Sequence, residues 1–198
     1  MSERTSLKYV YYALKLYSSG LSLRRTSQHL SLIVKRNHVS VWNWIQKYKP
    51  KKIFQKRNKI QEFIVDETLI KVSNDYVWVW IAIEPIDKVI LDIRISFERT
   101  MLVAEQFLKG LVKKYGKHSI SSDGATWYPP QACKFLKITH HIHSYYEKSI
   151  VERTIQYLKD RTECFDDYFP CRKYNCKLEH VIKWLGLFAD MYNKMILR

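Results

Sequence analysis

The sequence has few of the features that mark secreted or membrane-spanning proteins. It contains four cysteines, and no two of them form a CxxC pair. No apolar run reaches the roughly 18 residues needed to span a bilayer, and the first ten residues lack the apolar region of a signal peptide. We therefore expect reduced thiols, no membrane span and a cytoplasmic location in a prokaryotic cell, at the nucleoid. With 46% hydrophobic and 14% aromatic residues, the chain can still form a packed core.

Acidic residues are almost absent from the first third of the chain. Residues 1–60 hold fourteen of the 34 Lys and Arg residues, but only Glu3 among the 19 acids. The rest of the chain is nearly neutral, with 20 basic and 18 acidic residues. A basic block joined to a near-neutral domain is typical of a nucleic-acid-binding arm. A solvated basic face or a contact with an anionic membrane would give the same pattern.

The first 48 residues have the pattern of three short helices. Apolar residues recur at helical spacing in 7–19, 22–30 and 38–48. Ser22 is a candidate N-cap of the second helix. This order predicts a helix-turn-helix DNA-binding domain over residues 1–48, with the third helix in the major groove; a three-helix bundle with a basic surface is the alternative. The candidate DNA contacts are Arg24, Arg25, Lys35, Arg36, His38, Ser40, Asn43 and Lys47.

Residues 49–60 form a basic segment with little periodicity, which predicts a linker. Charges at this density lie against phosphates or remain in solvent. The candidate DNA contacts in this segment are Lys51, Lys52, Lys56 and Arg57.

The periodicity changes after residue 61, where short β-branched and aromatic runs replace the helical pattern. Strands are predicted at 62–72, 75–84, 88–96 and 118–123, with a fifth within 131–142. Helices are predicted at 100–116, 147–165 and 178–196, with a short one at the start of 131–142. The predicted class is α+β: residues 61–198 form a five-stranded mixed sheet flanked by helices.

Three acids stand where this layout would bring them together. Asp66 lies in the first strand, Asp123 ends the fourth, and Glu152 lies early in the helix at 147–165. If the fourth strand lies beside the first, Asp66 and Asp123 are neighbours, and a helix across the sheet can direct Glu152 towards both. Three carboxylates are what two-metal phosphoryl transfer requires, and magnesium prefers such oxygen ligands. Taken singly, these acids could be an edge acid, an Asp-Gly turn and a surface glutamate.

One helical face extends this site. Glu152, Gln156 and Lys159 are spaced at i, i+4 and i+7, so the lysine would lie beside the carboxylate and could contact a DNA phosphate.

Five segments together resemble the DDE-type transposases of the insertion-sequence-six family, and the likeness is closest to compact archaeal members. The segments are DETLIKV (66–72), YVWVWIAIE (76–84), S-x-x-R (96–99), SDG-x-x-WYP (122–129) and VER-x-x-x-x-LK-x-R (151–161). Ser149 and Glu84 depart from the family pattern, which has asparagine and aspartate there.

The resemblance implies an RNase H-like, integrase-type catalytic core. It implies cleavage of transposon-end DNA and transfer of the freed 3′-hydroxyl to target DNA, with two magnesium ions, or manganese in their place. It gives the metal-ligand role to Asp66, Asp123 and Glu152, and a DNA-contacting role to Arg153 and Lys159. Lys71 and Arg99 also match motif positions. The implied partners are the double-stranded terminal repeats, the target DNA and a second copy in a homodimer.

Other readings remain open at this stage. The chain could be a DNA-binding regulator without catalysis, derived from a decayed mobile element. Cys164, Cys171 and Cys176 with His180 could hold zinc, although their spacing departs from the usual pattern. The histidines in THHIHSYY (139–146) could hold metal or phosphate; we assign them no catalytic role.

Overall fold

The computed structural model describes residues 5–48, 60–72, 75–124, 129–163 and 178–197. Within these ranges the chain has seven helices and five strands. The helices are α1 (Leu7–Ser18), α2 (Leu23–Ser31), α3 (His38–Lys47), α4 (Met101–Tyr115), α5 (Pro129–Leu136), α6 (Tyr145–Glu163) and α7 (Leu178–Ile196). The strands are β1 (Glu62–Val72), β2 (Asp75–Ile83), β3 (Ile90–Ser96), β4 (Ser119–Ser122) and β5 (His140–Ile142). No helix in these ranges is long and apolar enough to cross a membrane.

Local capping explains where the N-terminal helices begin. The Ser22 side chain accepts a hydrogen bond from Arg25 N at 3.3 Å, and Asn37 caps α3 by accepting one from Ser40 N at 2.9 Å. Gly20, which follows α1, has a φ of 97°, a conformation that suits glycine. The three predicted helices and the Ser22 cap are confirmed. The domain boundaries at residues 48 and 60 stay a prediction, because residues 49–59 lie outside the described ranges.

The sheet has the strand order β3-β2-β1-β4-β5. β1, β2 and β3 form an antiparallel meander, whereas β4 pairs parallel to β1 and β5 pairs parallel to β4. The predicted α+β class with a mixed sheet is confirmed, as is the placement of β4 beside β1. This pairing brings two distant parts of the chain together at one end of the sheet.

Each face of the sheet supports its own core. Phe63, Val65 and Trp80 pack on one face under α4 and α5. On the opposite face, Ile64 and Ile81 pack with α6 and α7. Because both faces are covered, β2 is buried from Val79 to Ile83 without alternation.

Helix α7 lies between the sheet and the N-terminal helices. Its Asn193 side chain bonds both the backbone N and the backbone O of Ile90 on β3, each at 2.8 Å. On its other side, Trp184 Nε1 donates to Tyr17 O at 3.3 Å. Ala13 and Leu14 of α1 belong to the same buried cluster as residues of α7. The three N-terminal helices therefore share a continuous core with the helices and strands of the sheet.

A polar contact also ties the end of α3 to α7. The Tyr48 hydroxyl donates to Asp190, and Lys194 Nζ donates to Asp190 Oδ2 at 2.6 Å and to the Tyr48 hydroxyl at 3.0 Å. Burial and the hydrogen bond to Asp190 raise the pKa of Tyr48, so the phenol stays a donor at neutral pH. The Asp190 side chain is 9% exposed, so the Tyr48 hydroxyl and the Lys194 ammonium compensate the cost of burying its carboxylate.

We expect Asp190→Ala to lower the free energy of unfolding by about 1–3 kcal/mol, because it leaves the Tyr48 hydroxyl and the Lys194 ammonium without their shared acceptor. Urea unfolding followed by tryptophan fluorescence measures this loss. The control is Glu179→Ala, which removes a Lys183 ion pair whose carboxylate is 70% exposed and should cost less than about 1 kcal/mol. Equal effects of the two variants would contradict the docking role of Asp190.

Candidate active site

Asp66 lies in β1 on the sheet face that packs against α6. Its Oδ1 accepts a hydrogen bond from Glu67 N at 2.8 Å. Burial raises the pKa of Asp66 to about 7, and the charges of Glu67 and Asp123 act in the same direction. The Glu67 backbone N–H and the Arg99 charge offset only part of that rise. The surrounding residues therefore compensate only part of the cost of ionising Asp66.

Asp123 is the first residue after β4, and the parallel register brings it to Asp66. Ile64 pairs with Ser121, so two residues further along both strands Asp66 and Asp123 are level. One carboxylate oxygen each from Asp66, Glu67 and Asp123 lies within 4.8 Å of the other two. Gly124, which follows it, has a φ of 77°, a conformation that suits glycine. The alternative of an Asp-Gly turn stays untested, because residues 125–128 lie outside the described ranges.

Glu152 lies on α6, at the side of an open groove that also contains Asp66. The groove is lined by Asp66, Glu67, Thr68, Ser149, Glu152, Arg153, Ile155, Gln156 and Lys159. The Glu152 side chain is 62% exposed and lies 3.8 Å from Lys148 Nζ. Among the described residues, it is not part of the 4.8 Å cluster. The structure therefore joins Asp66 and Asp123 directly, and Glu152 lines the same groove as Asp66.

Two basic residues predicted to contact DNA also lie beside this groove. Lys159 is half-buried, and Arg153 is exposed, with NH2 3.3 Å from Ser149 Oγ. The face predicted from the spacing of Glu152, Gln156 and Lys159 therefore exists, because all three line the groove.

Sequence reasoning missed the role of Glu67. Its side chain is 3% exposed and is ion-paired with Arg99, whose guanidinium lies 5.0 Å from the centroid of the Trp78 ring. The available signal was the pair of consecutive acids in an apolar strand. Because neighbouring strand residues face opposite sides of a sheet, one acid of such a pair faces each side, and each needs its own partner. Arg99, which matches a motif position, is therefore paired with Glu67 and balances the charge of this acid beside the candidate metal ligands.

Most of the predicted DNA-contacting residues of the N-terminal helices are exposed. They are Arg24, Arg25, Lys35, His38, Asn43 and Lys47. Arg36 is half-buried, with Nε donating to Thr5 Oγ1 at 2.6 Å, and the Ser40 hydroxyl donates to Asn37 Oδ1 at 3.0 Å. These two side chains serve the fold of the helical segment. Lys51, Lys52, Lys56 and Arg57 lie outside the described residues.

The zinc hypothesis stays untested, because Cys164, Cys171 and Cys176 lie outside the described residues. His180, its fourth candidate ligand, stacks on Trp42, with ring centroids 4.9 Å apart. Cys133 is buried between α5 and the sheet.

Comparison with known proteins gives the chain a family context. A family model described as a DDE domain matches residues 60–172. An uncharacterized protein of Methanocaldococcus jannaschii is 32% identical over 96% of this chain and 87% of its own length. The transposase for insertion sequence-like element IS431mec of Staphylococcus aureus is 28% identical over 63% of this chain. The match to that transposase spans 60% of its length.

Solved structures share the fold at low sequence identity. The HTLV-2 integrase catalytic core domain, solved in complex with magnesium, matches with a TM-score of 0.50 at 16% identity, over 68% of this chain and 88% of its own. A chain of the simian T-cell lymphotropic virus intasome, solved with a PP2A regulatory subunit, matches with a TM-score of 0.52 at 17% identity, over 89% and 67%. The sheet and helices of this chain thus have the architecture of the integrase catalytic core.

Asp66 should make the metal-free protein less stable as the pH rises. Its pKa is raised from 3.8 to about 7, so between about pH 4 and pH 7 the folded chain holds a proton that the unfolded chain has released, and stability falls across that window. We expect Asp66→Asn to match the wild type near pH 4 and to exceed it above pH 7, by at most about 4 kcal/mol. Urea unfolding in EDTA at several pH values tests this. Glu98→Gln, which alters an exposed acid, is the control, and an Asp66→Asn variant that kept the wild-type pH slope would assign the effect to another group.

Proposed function

This chain belongs to the DDE-domain transposases of the insertion-sequence-six type, and we propose that it cuts DNA at the ends of its element and joins the freed 3′-hydroxyl to target DNA. The observation that carries the proposal is the meeting of Asp66 and Asp123 where β4 ends beside β1. Glu152, from a third element, lines the same open groove as Asp66, and this groove leaves room for a large substrate. A regulator that only binds DNA has no need of this arrangement.

The donor set fits a divalent metal. Asp66, Glu67 and Asp123 bring three carboxylates together. Burial, with smaller contributions from the charges of Glu67 and Asp123, raises the pKa of Asp66, and a bound cation would favour its ionised form. Asp66 and Asp123 would hold one ion, and Glu152 would complete a second site after a change of side-chain rotamer. Two bound magnesium ions, or manganese, would stabilise the charge on the attacking and leaving oxygens of the phosphoryl group.

The protein's own residues bind and orient the DNA. Arg153 and Lys159 beside the groove are placed to contact phosphates of the strand that undergoes cleavage. Water attacks the phosphorus first and the DNA 3′-oxygen leaves. The resulting 3′-hydroxyl then attacks a phosphorus of the target strand, and the 3′-oxygen of the target strand leaves, so no covalent protein intermediate forms.

The N-terminal helices bind the terminal repeats in this proposal. Arg24 and Arg25 of α2 and Lys47 at the end of α3 are exposed, so a duplex can reach them. Two copies of the chain would bring two transposon ends together, which favours a homodimer. Acting on chromosomal DNA places the protein at the nucleoid of a prokaryotic cell.

The carboxylate roles are tested by three separate variants: Asp66→Asn, Asp123→Asn and Glu152→Gln. Each should reduce nicking of a duplex carrying the element's own end by at least about 100-fold, because each removes charge that stabilises the transition state. Fluorescence anisotropy should show DNA binding retained. Glu98→Gln is the matched control, since it removes an exposed acid outside the groove. Wild-type nicking by any of the three would mean that residue is misassigned, and a wild-type chain that binds ends without cutting them would support the regulator reading.

The DNA-binding role of α2 is tested in the full chain, because deleting residues 1–60 would uncover the buried Trp184 and Phe188 of α7. Arg24→Ala combined with Arg25→Ala should weaken binding and reduce the slope of log K against log salt by about 2, since each phosphate contact contributes about 0.9. The control is Lys113→Ala combined with Lys117→Ala, which removes two exposed charges near the end of α4, on the other face of the sheet. An unchanged slope in the Arg24 and Arg25 variant would exclude α2 from the interface.

A further inference from the structure

A second group of potential metal ligands lies where the paired strands β1 and β4 begin, at the end away from Asp66 and Asp123. It comprises Glu62 at the start of β1, His141 in β5 and Glu147 in the first turn of α6, and their ligand atoms lie within 4.8 Å of one another. His141 Nε2 is 2.9 Å from Glu147 Oε1 and 3.5 Å from Glu62 Oε2. Three elements that are separate in the chain thus direct donor atoms to one point.

Groups outside the cluster hold the two carboxylates in place. Ser144 N donates to Glu147 Oε2 at 2.5 Å, and Glu147 N donates to Ser144 Oγ at 3.3 Å. This reciprocal pair is a helix capping box. The capping box occupies Glu147 Oε2, so Glu147 Oε1 is directed at His141. The Ser119 side chain forms a hydrogen bond with the Glu62 side chain. Ligand oxygens fixed by outer hydrogen bonds are the usual support of a protein metal site.

The charges of the cluster call for a cation at its centre. Burial raises the pKa of Glu62, and the facing Glu147 raises it further. Glu147 would also have its pKa raised by burial, but hydrogen bonds from Ser144, Glu62 and His141 lower it. The side chains of Glu62 and Glu147 are 18% and 7% exposed, so water screens them weakly. A proton shared by two facing carboxylates occupies a position that a metal ion can take.

We propose that Glu62, His141 and Glu147 bind a divalent first-row transition ion, with Zn²⁺ as the probe, and that this ion fastens the start of α6 to the sheet. One imidazole and two carboxylates form a three-ligand donor set that suits Zn²⁺, with water in the fourth position. An imidazole ligand disfavours magnesium, which takes oxygen donors. The set therefore differs in chemistry from the all-carboxylate groove.

The position of the ion would matter for the groove without being part of it. Glu62 precedes Asp66 by four residues on the same strand face, and Glu147 precedes Glu152 by five residues on the same helix. A metal bridge at this end would hold α6 against β1 and β5 and limit the movement of Glu152 relative to Asp66. The ion itself would take no part in phosphoryl transfer.

Zn²⁺ titration of the EDTA-stripped full chain by isothermal calorimetry tests the proposal. We expect a site that releases protons on binding, because Zn²⁺ displaces the proton shared within the cluster. His141→Gln should weaken Zn²⁺ binding by at least about 10-fold, the smallest loss that follows removal of even an outer-shell partner. His140→Gln is the matched control: it is the adjacent residue, it bonds Ser122 Oγ on the other sheet face at 2.8 Å, and it should leave Zn²⁺ affinity unchanged.

Further variants keep the outcome decisive. Glu62→Gln should weaken Zn²⁺ binding in the same way, and it replaces His141→Gln if that variant fails to fold by circular dichroism. Asp66→Asn should leave Zn²⁺ binding intact, so the loss of DNA cleavage and the loss of Zn²⁺ binding are separate results. Zn²⁺ binding that survives His141→Gln and Glu62→Gln but disappears when Cys164, Cys171 and Cys176 are changed to serine would overturn the proposal. So would a wild-type chain that binds no Zn²⁺.

Discussion

The pairing of β4 beside β1 is the constraint on which the site depends. The parallel register sets Ile64 level with Ser121, so Asp66 in the middle of β1 and Asp123 just after β4 become neighbours, although a hairpin, a third strand and α4 separate them in the chain. Burial is the main cause that raises the pKa of Asp66, and the charges of Glu67 and Asp123 add to it. The strands are held in register by apolar cores on both faces, which offset the cost of placing these acids together. The fold thus holds an arrangement of acids that a bound proton or metal ion stabilises.

Helix α7 gives the molecule its second constraint, because it is shared by both parts of the chain. Asn193 fastens it to β3, while Trp184 and Asp190 fasten it to the N-terminal helices. N-terminal helices on a flexible tether could take many angles to the groove. Because they pack on α7 instead, α2 and α3 have a defined position relative to the carboxylates, and in the proposed function this would give DNA recognition and cleavage one common frame.

The sequence predicted the parts of this structure that depend on local pattern or on strand order. The three N-terminal helices, the Ser22 cap, the mixed sheet and the β1–β4 neighbourhood follow from periodicity and from the sequence of elements. The Glu67–Arg99 pair could not be predicted in this way, because it joins a strand residue to a loop residue across the Trp78 ring, and pairing at that distance is a property of the tertiary fold. The capping box at Ser144 and Glu147 has the sequence pattern S-x-x-E, but the helix predicted over 147–165 began two residues too late, since α6 begins at Tyr145.

Burial explains why the three site carboxylates differ. Asp66 is held within a strand that is covered on both faces, so its position is fixed and its ionisation is costly. Glu152 lies on the solvent side of α6, next to the buried Val151 and Ile155 that anchor the helix. An enzyme that admits duplex DNA needs one wall that is open before the substrate arrives, and a glutamate on a helix surface can adjust its rotamer at little cost. In the proposed function, Asp66 in the strand, together with the exposed Asp123 beside it, would define where an ion binds, and the exposed Glu152 would close the site around the ion once DNA and metal are present.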